Sequence, residues 1–209
     1  MAVNIVWFKR DLRFADHAPL ELALKLDEPT LMIYLIEPTL LRNPHYRGRH
    51  WQFIGQSLED LQHTAEALGH RIEVLEGDAV DVFNEVHRKL GIRRLLSYEE
   101  TGLDLTFQRD QAVAKFCQSA GIEWREFQTN GVERGRRDRK GWNRSWHRFM
   151  TTDPHQIELR SMKSISAEAS EQLNSLRSTK HRQWVRHSGD MQAGGPNQAQ
   201  QVLLSLIHI

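Results

Sequence analysis

An α/β fold, Rossmann-like and doubly wound around a five-stranded parallel sheet and followed by an extended linker, is what this 209-residue sequence predicts. Two patterns carry the prediction. Continuous apolar runs rich in β-branched and aromatic residues, VNIVWF at 3–8 and TLMIYLI at 30–36, read as strands buried on both faces, as parallel strands are. Stretches of helical period follow such runs, with glycines where the helices should stop, so strands alternate with helices from residue 3 to 127. Right-handed crossovers then place helices on both faces of the sheet.

After the first strand, Asp16 stands where it can cap a helix over 17–26, with Pro19 in the tolerated first turn and Leu20, Ala23, Leu24 and Leu26 as the apolar stripe. A helix over 49–68 carries Trp51, Ile54, Leu58, Leu61, Ala65 and Leu68 at helical spacing, stops at Gly69 and leads to a strand at 71–75. A third helix starts near Asp78, presents Val82, Val86 and Leu90, and stops at Gly91 before a strand at 93–98. The fourth, 105–119, ends at Gly121 and feeds a fifth strand at 122–127. Ligands on such sheets bind beyond the carboxyl ends of the strands, which confines a site to the loops 9–14, 37–48, 76–78, 99–104 and 128–131.

After Phe127 the periodicity lapses. A short helix is expected around 142–150 and another over 167–176, in a polar, Ser-rich stretch that reads as a linker wrapping the preceding domain. Gly194-Gly195-Pro196 then opens an apolar helix at 199–209 that ends in mid-run, so the chain reads as a truncated fragment whose last residues are not native. The expected division is 1–130 for the α/β domain, 131–190 for the linker and 191–209 for the start of an interrupted helical domain.

Composition narrows the class. Apolar residues make up 39% of the chain, enough for a core, yet no window approaches a membrane span and the N-terminus lacks the features of a signal peptide. A soluble protein with no membrane partner is expected. The single cysteine, Cys117, offers neither an intramolecular disulfide nor a metal cluster and fits a reducing compartment, by default the cytoplasm. The 11 histidines are scattered, without paired acids at ligand spacing, so no metal site is expected.

The motif absences exclude whole classes. The first strand-to-helix turn, WFKRDLRF, contains no glycine, so the turn that admits a dinucleotide pyrophosphate is missing, and no P-loop, GxSxG elbow or HExxH occurs. In that turn stand Lys9, Arg10, Asp11, Leu12 and Arg13, either to hold an anion or a second domain or, structurally, as an ion pair from Asp11 to Arg10 or Arg13.

The segment IVWFKRDLRFADHAPL resembles the opening of the photolyase/cryptochrome family. Other matches follow in order: Arg49-His50-Trp51-Gln52-Phe53-Ile54 with Ser57-Leu58 and Leu61 is similar to a family helix, and Gly77-Asp78 to its turn after the third strand. Ser97 to Gly102 with Arg109-Asp110 resembles its fourth strand and next helix, and Asn130-Gly131-Val132 with Trp142 and Trp146 its linker. The resemblance runs from about Val3 to Met150 and, more weakly, to Gly194-Gly195.

It implies a parent protein with a helical FAD-binding domain in cis. By the resemblance, that parent would be a deoxyribodipyrimidine photolyase, a carbon–carbon lyase that uses blue light to repair pyrimidine dimers in UV-damaged DNA, or a cryptochrome that uses the same flavin for signalling. The present chain would be the antenna and scaffold half, not catalytic by itself, and its 6 Trp are not expected to form a redox chain. The other reading is a free-standing α/β nucleotide- or chromophore-binding module.

Where the folate-binding branch has Asn-Glu, this sequence has Leu105-Thr106, which disfavours a folate antenna and leaves a deazaflavin or lumazine type. Its expected holders are Ile36, Glu37, Arg42, Arg49 and Phe53, with Glu99 or Glu100 across the switch point. Apolar side chains would grip the ring faces, and an Arg and a Glu the polar edges. The structural alternative is an empty groove in which Arg49 merely pairs with Glu37. Glu99 and Glu100, read as adjacent on a strand, point to opposite faces and form no acid/base dyad.

One segment concentrates the positive charge. Residues 134–148 hold seven cations against Asp138 alone, a charge of +6 in a chain whose total is +1, which leaves −5 for everything else. Nucleic-acid contact through Arg136, Arg137 and Arg139 beside Trp142 and Trp146 is one reading. The other has the tryptophans anchoring the linker to the domain while the arginines face water.

Overall fold

The computed structural model describes residues 2–185 and 192–207. Five parallel strands, β1 (Val3–Phe8), β2 (Thr30–Ile36), β3 (Ile72–Glu76), β4 (Ile92–Tyr98) and β5 (Glu123–Phe127), form one sheet in the order β3-β2-β1-β4-β5. The chain winds outward from β1 to β3, then returns to the other side of β1 for β4 and β5. The switch point therefore lies between β1 and β4.

Alternation along the strands divides the core into two layers. Val3, Ile5 and Trp7 of β1 and Leu31, Ile33 and Leu35 of β2 meet α4 (Ala79–Leu90) and α5 (Asp104–Ala120). Val6 and Phe8 with Met32, Tyr34 and Ile36 meet α1 (Ala18–Leu26) and α3 (Gly48–Ala67) on the opposite face. A four-residue helix, α2 (Pro38–Leu41), follows β2; it is too short to show a period in the sequence. No helix among the described residues is long and apolar enough to cross a membrane.

The cap of α1 differs from the expectation. Asp16 sits outside the helix in a left-handed conformation (φ 49°), and His17 is the cap, its Nδ1 accepting from the Leu20 amide at 3.2 Å. A buried imidazole that must also reach Asp11 does this better than a short carboxylate on the surface.

The polar stretch after Met150 touches the sheet at two places. Thr30 donates its amide to Lys163 O at 2.7 Å and Ser178 donates to Val74 O at 2.9 Å, so the stretch reaches the start of β2 and the otherwise open edge of β3. Leu159, Met162 and Leu173 are buried in the two core layers, and Arg177 grips the buried Glu73 at 2.7 Å. The helix expected over 167–176 is broken into α7 (Ala167–Glu171) and a 3-10 turn at Asn174–Leu176, because Ser170 and Arg177 turn in toward Glu73.

Two further helices follow. The sequence reading did not contain α8 (Lys180–Trp184), which docks by Trp184 against Trp51 at 4.9 Å between ring centroids. Its approach requires Gly55, where a Cβ would lie 2.8 Å from His181 O. The last helix, α9, spans Pro196–Ile207 and begins earlier than the expected 199; His208 and Ile209 lie outside the described residues. It is tied to α3 by Gln56, which accepts from the Gly194 amide at 2.7 Å, and by Asp60, which accepts from Asn197 at 3.0 Å.

Candidate functional site: a groove at the switch point

The loops after β1, β2 and β4 converge at the carboxyl end of the sheet, as the topology requires. Each loop leaves the sheet carrying charge, and the second turn of α5 adds Arg109 and Asp110. Together these residues form a buried network. Lys9 donates to Asp110 at 2.6 Å and to Tyr98 O at 3.0 Å, with both side chains at most 5% exposed. Arg109 meets Asp110 at 2.9 Å, Glu37 at 2.7 Å and Glu100 at 3.2 Å. Arg10 reaches Glu100 at 3.3 Å, and Gly102 lets both approach: a Cβ there would lie 2.7 Å from Glu100 Oε1. Two buried cations, Lys9 and Arg109, with the exposed Arg10 at the edge, thus face three buried carboxylates, and this pairing is how such a cluster survives out of water.

Aromatic rings insulate it. The Lys9 ammonium lies 4.4 Å from the centroid of Trp7 and 5.5 Å from that of Trp124, and the Arg109 guanidinium is 4.8 Å from Trp7. Burial pushes the Lys9 ammonium below its ordinary pKa despite Asp110 beside it. Burial works against the Arg109 cation too, but the Glu37 and Asp110 carboxylates outweigh it and its pKa rises. Glu37 is raised by burial, with Arg109 opposing.

Above this floor opens a cavity of about 930 Å³. Leu40, Tyr46, Phe53 and Ile54 supply apolar wall, Arg49 and His50 stand at the rim, and Gly195, Pro196 and Ala199 close the far side. Tyr46 is itself stacked on Trp51 at 5.1 Å, which fixes its ring. Tyr34 lines the inner end, where burial raises its hydroxyl pKa. An apolar slot of this volume with a few convergent polar groups at one end is the form of a small-molecule site.

The expected residues divide. Glu37, Arg49, Phe53 and Glu100 line the cavity. Ile36 does not: it shares strand parity with Met32 and Tyr34 and is fully buried in the core layer beneath α1 and α3. Arg42, at the C-cap of α2, is exposed and lies outside the cavity lining. Glu99 faces away, toward Arg134 at 3.6 Å; it and Glu100 do diverge, but in the loop after β4, which ends at Tyr98.

Nor does Arg49 pair with Glu37, whose partner is Arg109. In the first turn Asp11 pairs with neither arginine. It accepts from the Lys9 amide at 2.9 Å and meets His17 Nε2 at 2.7 Å, while Arg13 donates to Asp16 O at 3.1 Å.

Tyr46, Arg109 and Asp110 are not among the expected site residues, and Lys9, expected to hold an anion or a second domain, pairs instead with Asp110. Arg109-Asp110 was visible in the sequence as a motif. The signal that assigns it is position: the first turns of a helix entered from β4 face the loop that follows β1, because those strands are neighbours.

The basic segment lies apart from the groove. Its helix, α6, spans Trp142–Met150 as expected and buries no residue. Trp142 and Trp146 are 40% and 39% exposed and stack on each other at 6.1 Å, and the edge of Trp146 lies against Gly131. Arg136 is drawn back to Glu133 and to the Asp138 carbonyl, and so serves as a clamp of its own loop. Among the described residues no group of His, Cys, Asp and Glu is arranged to hold a metal ion.

Known proteins agree with this architecture. The DNA photolyase family matches residues 4–133. Cryptochrome-2 of Gallus gallus is 32% identical over 120 residues, 57% of this chain and 20% of that protein; Cryptochrome-1 of Erithacus rubecula is 30% identical over 124 residues. The chain therefore spans about a fifth of the length of these curated relatives.

Among solved structures, a class III photolyase of Agrobacterium tumefaciens superposes with a TM-score of 0.77 at 21% identity, over 100% of this chain and 45% of that one. The archaeal photolyase of Sulfolobus tokodaii, whose structure holds two FAD molecules and implies a novel light-harvesting cofactor, gives 0.76 at 19% identity, over 96% and 46%. At such identities these two show the fold alone. The strand order, the charged turn after β1 and the family match over most of the α/β fold lead to one conclusion: this chain belongs to the DNA photolyase family.

Proposed function

We propose that this chain is the chromophore-binding and scaffold part of a blue-light flavoprotein, and that the groove holds an antenna pigment with a flat, fused heterocycle. The observation that carries the reading is the apolar slot with a saturated ionic floor. Tyr46, Phe53, Leu40 and Ile54 offer surfaces for ring faces. At the floor Glu37 keeps one oxygen free of any partner among the described residues, an acceptor for a ring N–H, while its other oxygen takes Arg109. A floor of zero net charge favours a neutral ring edge of alternating donors and acceptors, as deazaflavins, lumazines and flavins present. A free-charged ligand would leave an unpaired charge buried.

When bound, such a pigment supplies light absorption and passes excitation to a flavin. The chain's own residues hold it: the aromatic walls exclude water, Arg109 fixes Glu37, and Asp110 with Lys9 fixes Arg109. No residue here performs bond chemistry, and the chain alone is proposed to be without lyase activity. Residues 1–130 then form the antenna domain and 131–190 its strap. The segment from 191 begins the contact with a helical FAD domain in the parent protein, a cytoplasmic repair enzyme for UV-damaged DNA. A cryptochrome-type photoreceptor is the second reading, favoured by the curated relatives at 30–32% identity.

Two steps test the proposal. The purified chain is inspected for a near-UV or blue absorption band, then titrated with a deazaflavin, a ribityl lumazine and FMN by fluorescence. Uptake of at least one of these is expected. A folded, colourless protein that binds none of them would overturn the reading.

A further inference from the structure

The geometry points to a second binding surface, outside the groove: the segment from Val132 to Met150 forms a face for a single-stranded stretch of nucleic acid. It holds seven cations, of which two are engaged. Arg134 pairs with Glu126 at 2.6 Å and Arg136 pairs with Glu133. Arg137, Arg139, Lys140, Arg144 and Arg148 have no carboxylate partner among the described residues, in a molecule whose other part carries excess acid. Unpaired cations are ordinary on a surface one at a time. Five of them within twelve residues repel one another, and a polyanion removes that repulsion.

The aromatic groups make the partner more specific. On α6, Ser145 and Phe149 turn toward the body, which leaves Trp142, Trp146 and Met150 on one flank, the last 54% exposed. Arg144 and Arg148, each two residues beyond a tryptophan, fall on the other. Trp142 also lines a cleft of about 500 Å³ whose opposite wall is the loop bearing Arg137 and Arg139. A base laid on the Trp142 ring would thus have its phosphates beside those two guanidinium groups. A duplex keeps its base faces stacked and cannot use the ring. An acidic peptide would use the cations and leave the indoles idle.

The clamp by Arg136 gives the loop its shape. Its guanidinium takes the carbonyls of Asp138 and Lys140, while Asp138 accepts from the Lys140 amide at 2.9 Å. Arg137 and Arg139 are held outward on either side of Asp138. This assigns different roles to the three neighbouring arginines: one positions the loop and two contact the strand.

The test is fluorescence anisotropy of a labelled twelve-residue oligothymidylate with the full chain across a salt series. Binding at low salt is expected to exceed that of a duplex of equal length. The double variant Arg137→Ala, Arg139→Ala should lower the slope of log K against log salt by about 1.4 in magnitude, two phosphate contacts fewer. Trp142→Ala should weaken binding about tenfold at unchanged slope, and Trp142→Phe should retain most of it. Circular dichroism confirms that each variant is folded. The inference is overturned by no binding at low salt, by equal affinity for duplex or polyglutamate, or by a folded Trp142→Ala variant that binds as the wild type does.

Discussion

Two regions of this molecule use the same residue types in opposite ways. At the carboxyl end of the sheet, the buried Lys9 and Arg109, joined at the edge by the exposed Arg10, are matched by Asp110, Glu37 and Glu100, and the buried part is roofed by aromatic rings. Along 134–148 most arginines face water without a partner, beside two half-exposed tryptophans. Burial decides between the two. An unpaired charge inside costs several kcal/mol, so a buried cluster must be neutral and rigid; outside it costs little, and the charge stays available to a partner. A rigid neutral floor suits recognition of one ring edge, and an exposed charged surface suits a chain of phosphates.

Removing a partner from the buried cluster should do the most damage. Asp110→Ala strands the Lys9 ammonium among Trp7 and Trp124 and should destabilise the chain by about 3–5 kcal/mol in urea unfolding. Adding Lys9→Met to that variant should recover part of the loss, since the stranded charge is gone. If Asp110→Ala unfolds at the wild-type midpoint, the network is not what holds this end of the sheet.

The strap across β3 should come next. Arg177→Ala leaves Glu73, 1% exposed, without its main partner and should cost about 1–3 kcal/mol. Its pH dependence has a definite sign. Burial raises the Glu73 carboxyl, but hydrogen bonds from Arg177 and Ser170 outweigh it and hold the pKa below the ordinary value. The clamp's contribution is therefore complete above the unfolded pKa of about 4.3 and is lost as pH falls through the depressed folded one. Between pH 5 and pH 3 the wild type should lose more stability than Arg177→Ala; parallel losses would remove Glu73 from the acid response.

Gly131→Ala should have a smaller effect, about 1–2 kcal/mol. Its φ of 65° is left-handed, and the added Cβ would lie 2.8 Å from Trp146 Cδ1. A red shift of tryptophan emission should accompany it as Trp146 is displaced, and an unchanged spectrum would mean that α6 is not seated on this turn. Smallest of all should be the double variant Arg137→Ala, Arg139→Ala, within about 0.5 kcal/mol of the wild type. A larger loss would show that these side chains are structural.

Much of the fold was legible because it is written in local pattern. Buried parallel strands leave unbroken apolar runs, and helices such as α4 carry their period in Val82, Val86 and Leu90 and their stop in Gly91. What was not legible joins residues far apart. The turn after β1 was recognised as charged, yet the partner of Asp11 is His17 and that of Lys9 is Asp110, a hundred residues on. Ile36 was misplaced because an apolar residue at a strand end reads the same whether it faces the core or a cavity. Parity with Tyr34 and Met32 decides it once the sheet is known. Helix α8 has five residues and no period; only its docking onto Gly55 and Trp51 makes it a helix.

The central claim is that the groove and the basic face are separate sites with separate ligands. Fluorescence titration of a deazaflavin against the wild type, Tyr46→Ala and the Arg137→Ala, Arg139→Ala double variant tests it most directly. Tyr46→Ala should lose at least about tenfold in affinity, as expected for removing an aromatic wall of a pocket, and the basic double variant should bind as the wild type does. Equal binding by Tyr46→Ala, or a loss in the double variant, would contradict the assignment.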